Sequence, residues 1–139
     1  MLGADFGPAA WTAIMTAAWF TLTTTTSQAQ EAGASAQPGA AQIALGDSIY
    51  QGRKANGPCW GCHGRNGKGT ANAPKLTDSK WLDADGTLES IQRVITTGVP
   101  KPKKFNMAMP PRGGVGLTSE EIKAVAAYVY SLSHKGGKR

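Results

Sequence analysis

Aromatic residues, histidine and cysteine are all scarce in this chain of 139 residues. Aromatics make up 7% of the sequence while glycine occurs 18 times, and this balance favours a loop-rich fold over a sheet sandwich. The chain has two cysteines and two histidines, but they do not form the two ligand pairs of a structural zinc site. A strand–helix–strand pattern is also missing, so a thioredoxin-like fold is not indicated.

Both cysteines lie in one short run, Cys59-Trp60-Gly61-Cys62-His63. C-x-x-C-H is the attachment signature of a c-type haem. Two thiols at this spacing can each add to one vinyl group at the haem edge, and the histidine that follows is held beneath the iron. The run therefore predicts one covalent haem c, attached through Cys59 and Cys62, with His63 as an axial ligand.

Three other interpretations of this run are weaker. A thioredoxin-like redox pair needs a βαβ context, and a zinc site needs a second ligand pair. The other histidine, His134, stands alone beside a basic tail. A plain disulfide between Cys59 and Cys62 would leave His63 unexplained.

The formal net charge is +6, from 15 Lys and Arg against 9 Asp and Glu. The sequence has no motif that reads base edges and no interleaving of aromatic and basic residues, so nucleic-acid binding is not predicted. Basic residues occur around the haem segments, and they form either solvated loops or a docking face for an acidic redox partner. They are Arg65, Lys68, Lys75, Lys101, Lys103, Lys104 and Arg112.

The N-terminus is typical of an export signal. Its apolar stretch, Pro8 to Leu22, is shorter than the about 20 residues that a membrane helix needs, and Ser27-Gln28-Ala29 is a small-x-small cleavage pattern. We expect residues 1–29 to be a signal peptide, in keeping with haem c attachment outside the bacterial cytoplasm. A signal peptide usually begins with positively charged residues, but the one charged side chain before the apolar stretch is that of Asp5. An uncleaved membrane anchor is therefore the alternative.

The rest of the chain divides into three parts. Residues 30–42 are rich in Ala, Gly, Gln, Ser and Pro and predict a flexible leader. Residues 43–134 form the folded domain, and residues 135–139 a basic tail. Within the domain, Asp47 is a candidate N-cap for a first helix over 48–55, in which Tyr50 is an ordinary core residue.

Two further helices have clearer signals. A second is predicted over 88–97, where apolar residues recur on one face between a capping Thr87 and a terminating Gly98. A last helix follows the capping box at 118–121 and ends near Ser133.

The loop from Val99 to Gly114 contains four prolines, which exclude a regular helix or central strand. It also carries Met107 and Met109, and a thioether sulfur is a soft axial ligand that raises the potential of haem iron. Met109 is the better candidate because Pro110 stiffens the backbone directly after it. Met107 can compete, and the ordinary alternative for either is filling a gap in the core.

Three other residues have open roles. The Pro74 carbonyl is either the acceptor that the second ring nitrogen of an axial histidine needs, or part of a simple turn. His134 is expected to be a solvated helix cap rather than a second iron ligand. Trp81 is expected to pack against the core or the haem edge.

Taken in chain order, these motifs resemble those of the class I (monohaem) cytochromes c over about 43–134. The 74–82 segment and the Ala-Ala-Tyr-Val-Tyr-Ser-Leu-Ser ending resemble the haem domains of the cbb3-oxidase subunit III type, and the 108–114 run resembles small c5-like soluble cytochromes. One haem motif instead of two, and no clear membrane helix, favour a free carrier over an oxidase subunit. The stretches that carry the resemblance are Gly46 with Tyr50, 59–64, 73–78, Trp81-Leu82, Met109-Pro110 and 125–133.

The resemblance implies an all-α fold of three main helices, with Gly/Pro-rich loops wrapped round one covalent haem and the first and last helices crossing near it. It implies His63 and Met109 as the axial ligands and the Pro74 carbonyl as the partner of the His63 ring. We therefore expect a periplasmic one-electron carrier, monomeric when free, rather than an enzyme. It would meet redox partner proteins and touch a membrane only if the N-terminal segment is uncleaved.

Two alternatives remain. The chain is the cytochrome subunit of a dehydrogenase or oxidase complex, or it is a haem enzyme of the peroxidase type or a gas sensor. The second alternative requires an open sixth iron position and a distal acid or base, for which His134 is the available histidine.

Overall fold

The computed structural model describes residues 37–134. Within them lie four α-helices: α1 (Ala40–Tyr50), α2 (Cys59–His63), α3 (Leu88–Thr97) and α4 (Ser119–His134). Two 3₁₀ turns, Arg65–Gly67 and Pro111–Gly114, interrupt the loops. The described residues form no strand beyond one isolated antiparallel bridge, Val99–Met109, which confirms the all-α prediction.

The predicted first helix was misplaced. α1 begins at Ala40 and ends at Tyr50, so Pro38-Gly39 precedes a helix, and Asp47 lies inside the helix instead of capping it. Gly39 is extended and serves as the N-cap, and the chain beyond Tyr50 turns into left-handed conformations, with φ +76° at Gly52. The Asp47 carboxylate accepts hydrogen bonds from Arg53 and Gln51 beyond the helix end.

The other two long helices match their predictions. The Thr87 hydroxyl accepts a hydrogen bond from the Ser90 N–H at 3.2 Å, and Gly98 ends α3. At the start of α4, Thr118 and Glu121 exchange two hydrogen bonds, of 2.8 and 3.2 Å, which is the predicted capping box. α4 ends at His134, one residue beyond the predicted end.

α1 and α4 cross at very short range. A Cβ atom placed on Gly46 would lie 1.9 Å from the Ala124 carbonyl oxygen, so only glycine permits this approach. Below the crossing, the rings of Tyr50 and Tyr128 pack with centroids 5.2 Å apart. α4 also packs against α3, so the core is formed by apolar side chains from all three long helices: Ile49, Tyr50, Ile91, Ile95, Ile122, Val125, Ala126, Tyr128 and Val129.

The ends of the chain lie outside the described residues. The predicted signal peptide (1–29), the leader up to residue 36 and the tail (135–139) therefore stay predictions. Between residues 37 and 134, no helix combines the length and the apolar character needed to span a membrane.

We predict that Gly46→Ala destabilises the protein. The new methyl group must push α1 away from the α4 backbone, and overpacking of this kind costs about 1–3 kcal/mol. The measurement is the free energy of unfolding in urea, followed by circular dichroism. Gly116→Ala is the matched control, because no atom lies within 4 Å of its added Cβ. Equal stability of the two variants would contradict the close crossing.

Candidate functional site

The short helix α2 contains the Cys59-Trp60-Gly61-Cys62-His63 run. Both cysteines are half-buried free thiols, one helical turn apart and so on the same side of α2. Burial raises the pKa of the Cys59 thiol to about 11. This argues against a reactive redox pair, whose attacking thiol has a lowered pKa.

The His63 ring is fixed by a backbone acceptor. Its Nδ1 lies 3.0 Å from the Pro74 carbonyl oxygen, and because a carbonyl can only accept, Nδ1 carries the proton. The other ring nitrogen, Nε2, is then left as the electron-pair donor for a metal. Burial lowers the pKa of the imidazole, against an opposing effect of the Pro74 carbonyl, and so favours the neutral form that binds metals.

The chain after His63 turns back sharply, and the carbonyl groups of Cys62, His63 and Gly64 each accept a hydrogen bond. The Thr70 hydroxyl donates to the Cys62 carbonyl, and the Gly69 N–H donates to the His63 carbonyl at 2.7 Å. The Gly64 carbonyl accepts from the Gly67 N–H at 3.1 Å and from the Tyr50 hydroxyl at 2.9 Å. The end of α2 is therefore held on several sides.

The loop between α3 and α4 brings a thioether into the same cavity. Val99 and Met109 exchange two backbone hydrogen bonds, of 2.8 and 3.0 Å. Just before Val99, Gly98 has φ +70°, and a Cβ there would lie 2.4 Å from the Met109 carbonyl oxygen. Met109 is half-buried, whereas Met107 is 49% exposed. The backbone of Met109 is thus pinned, while the side chain of Met107 is about half exposed and borders the larger cavity.

Two adjoining cavities meet at these side chains. Cys59, His63, Trp81 and Met109 line both of them. The larger cavity extends towards the loops, and the smaller is closed by apolar side chains of α3 and α4 and by Tyr50. As expected, Trp81 packs against the core at the cavity edge.

This arrangement fits a c-type haem. Two thiols, an imidazole whose Nδ1 is already engaged and a thioether all line one largely apolar cavity. Among residues 37–134, no three His, Cys, Asp or Glu side chains cluster as a metal site would require, which argues against zinc. His134 does not line either cavity: it lies exposed at the end of α4, stacked on Tyr130 with its Nδ1 2.8 Å from the Tyr130 carbonyl.

Several basic side chains lie at the cavity. Lys75 and Arg112, both predicted, line its larger part, and so does Lys80, which the sequence analysis missed. The sequence feature that could have identified Lys80 is its position directly before Trp81, which was expected to pack against the core or the haem edge. Lys75 pairs with Asp78 at 3.0 Å.

Two other predicted basic residues make contacts within the protein. Lys103 donates to the Leu82 carbonyl. The Arg65 guanidinium lies 5.0 Å from the centre of the Trp60 ring, which is 40% exposed.

The sequence analysis also missed the polar role of Tyr50. It was expected to be an ordinary core residue, and its ring is indeed buried, but its hydroxyl bonds to the turn after His63. No local sequence signal points to this contact, because it depends on how α1 lies against the turn.

Comparison with known proteins identifies similar domains. The family model described as Cytochrome c matches residues 43–133. The cbb3-type cytochrome c oxidase subunit CcoP of Rubrivivax gelatinosus is 38% identical over 91 residues, which cover 66% of this chain and 26% of CcoP. Subunit FixP of Sinorhizobium medicae is 34% identical over 94 residues, covering 66% of this chain and 30% of FixP. The chain therefore spans less than a third of the length of these curated relatives.

A solved structure has a similar fold. Cytochrome cL from the marine methylotroph Methylophaga aminisulfidivorans superposes with a TM-score of 0.54 at 23% identity. The match covers 70% of this chain and 57% of that one. At this level of identity the likeness supports the fold alone.

We predict that Gly98→Ala is more destabilising than Gly113→Ala. Both glycines have nearly the same left-handed φ, +70° and +68°, so both substitutions add backbone strain of about 1–2 kcal/mol. Only at Gly98 does the new methyl group strike the Met109 backbone; at Gly113 its nearest neighbour is Pro58 at 3.5 Å. Urea unfolding should show an additional cost of roughly 1–3 kcal/mol for Gly98→Ala. Equal losses would mean that the Met109 segment is free to move.

Proposed function

This chain belongs to the cytochrome c family, and from that premise we propose that it is a one-electron carrier with His/Met-ligated iron. It has one covalently bound c-type haem, and when bound this group takes up and releases a single electron. The observation that carries the proposal is that His63 and Met109 line the same cavity while the Pro74 carbonyl engages the other nitrogen of the His63 ring. No substrate bond needs to be made or broken.

Each residue of the site has one role in this proposal. Cys59 and Cys62 would hold the haem edge through thioether bonds, and His63 Nε2 and the Met109 sulfur would bind its iron. Pro74 fixes the tautomer and orientation of His63, which second-sphere acceptors generally do for metal-binding histidines. Apolar side chains of α3 and α4 exclude water, and a thioether ligand together with a dry site favours the reduced form.

We further propose that the protein works in the periplasm and meets redox partner proteins. This rests on the predicted export signal and on the extracytoplasmic attachment of haem c. The similarity to oxidase subunits CcoP and FixP supports a second candidate, a cytochrome subunit within a dehydrogenase or oxidase complex. Purification under mild conditions separates the two, because a stable partner accompanies a subunit and not a free carrier.

A haem enzyme or gas sensor is the less favoured class. It needs an open sixth position and a nearby acid or base. Met109 lies in the cavity where that opening would be, and His134, the histidine considered for the acid–base role, lies at the exposed end of α4.

We predict that Met109→Ala, and not Met107→Ala, opens the iron site. Loss of the thioether should abolish the weak sulfur-to-ferric-iron absorption band, lower the reduction potential and let the ferrous protein bind carbon monoxide. Optical spectra and redox titration of the haem-loaded variants measure this. Met107→Ala is the matched control, because its side chain is about half exposed. Ready binding of carbon monoxide by the unmutated protein would instead favour sensing or peroxide chemistry.

We also predict that the charge of Lys80 speeds electron transfer to an anionic acceptor. The probe is oxidation of the reduced protein by hexacyanoferrate(III). Two unit charges 4 Å apart in water interact by about 1 kcal/mol, and hexacyanoferrate(III) carries three negative charges, so Lys80→Gln should slow the reaction by about fivefold or more at low salt. High salt should remove the difference.

Lys123→Gln is the control for net charge. Lys123 carries the same charge but lies on α4, paired with Glu120 and away from the cavity. Equal slowing by both substitutions would mean that the overall charge of the protein, and not the basic side chains that line the cavity, attracts the acceptor.

A further inference from the structure

Tyr50 connects the main helix crossing to the haem-binding run. It is the last residue of α1 and is 1% exposed, with its ring against Tyr128 of α4. Its hydroxyl nevertheless leaves the apolar core and donates a 2.9 Å hydrogen bond to the Gly64 carbonyl. Gly64 is the residue directly after His63.

The Gly64 carbonyl accepts a hydrogen bond from outside its own turn. Gly64 has φ +74° and ψ 159°, a conformation that breaks the helix immediately beyond His63. Its carbonyl has one other donor, the Gly67 N–H at 3.1 Å, which belongs to the same tight turn. Tyr50 is thus the contact that ties the Gly64 carbonyl itself to a long helix, whereas Tyr128 reaches the same turn through the Asn66 side chain. Loss of the Tyr50 hydroxyl leaves the Gly64 carbonyl still bonded to the Gly67 N–H.

His63 is consequently held both at its ring and at its backbone. The Pro74 carbonyl holds the ring through Nδ1, and Tyr50 holds the backbone through the next peptide group. The Tyr50 ring also borders the smaller cavity together with His63 and Met109. A movement of the Gly64 peptide would therefore also move His63, which is an iron ligand in the proposed function.

We propose that Tyr50 is a positioning residue for His63: its hydroxyl fixes the peptide that follows the axial histidine and thereby sets the orientation of the imidazole towards the iron. The proposal rests on the proposed function. It goes beyond packing, because a phenylalanine would fill the same volume in the core without reaching Gly64.

Tyr128 provides a matched control. Its ring packs against that of Tyr50 at a tilt of 56°, in the same helix interface. Its hydroxyl contacts the side chains of Gln51 and Asn66 but not the Gly64 carbonyl. It lines neither cavity. Tyr128→Phe therefore removes one hydroxyl from the same pair of rings, and a long side-chain contact to Asn66, while both hydrogen bonds to the Gly64 carbonyl remain.

The experiment compares haem-loaded unmutated protein, Tyr50→Phe and Tyr128→Phe. The first readout is the set of paramagnetically shifted NMR signals of the His63 ring in the ferric protein, with the midpoint potential measured alongside. We expect both to shift in Tyr50→Phe and to stay within replicate error in Tyr128→Phe. The second readout is amide exchange at Gly69, whose N–H donates to the His63 carbonyl. Loss of one hydrogen bond predicts exchange about 2- to 12-fold faster in Tyr50→Phe.

Each other outcome overturns the proposal in a recognisable way. If the His63 signals and the potential of Tyr50→Phe equal those of the unmutated protein, or if Tyr128→Phe shifts them as much, Tyr50 is only a core residue. If the unmutated protein has no His/Met low-spin spectrum, the proposed function fails and the role of Tyr50 fails with it. Urea unfolding of all three proteins distinguishes a local change at His63 from general loosening.

Discussion

The close crossing of α1 and α4 is the constraint on which the rest of the structure depends. Because Gly46 has no side chain, the two helix backbones approach within a distance that any Cβ would prevent. This approach buries Tyr50 against Tyr128 and brings the Tyr50 hydroxyl to the turn after His63. α4 also packs against α3, whose last residue leads through Gly98 into the Met109 segment. The packing of α4 against α1 and α3 thus positions the two segments that carry His63 and Met109.

The site itself is built from short, tightly turned segments rather than from the long helices. Several of its polar groups have backbone partners: the Pro74 carbonyl on the His63 ring, the Gly69 N–H on the His63 carbonyl and Val99 on Met109. Backbone partners are well suited to this purpose because they have few ways to move once the turn is closed. The long helices then supply the apolar walls, and a small domain can assemble a dry cavity with little regular structure of its own.

Local signals predicted α3 and α4 well, because a capping Thr87 or Thr118 and a 3.6-residue apolar period are properties of neighbouring residues. The same method misplaced α1. The segment before Asp47 resembles a flexible leader in composition, and Asp47 resembles an N-cap. The helix is decided instead by Gly46, Ile49 and Tyr50, which are buried against α4, a contact that no local pattern announces.

The sequence by itself determined the chemistry of this protein. The spacing of Cys59, Cys62 and His63 is set along the chain itself, so an error in the predicted helix boundaries does not change it. It also offered two methionines in a proline-rich loop, Met107 and Met109, as candidates for the proposed sixth ligand. Only the tertiary structure decided that the backbone of Met109 is pinned beside Val99, that Lys80 lines the cavity and that the Tyr50 hydroxyl reaches Gly64. These residues are far apart in the chain, and the distances between them depend on how the helices pack.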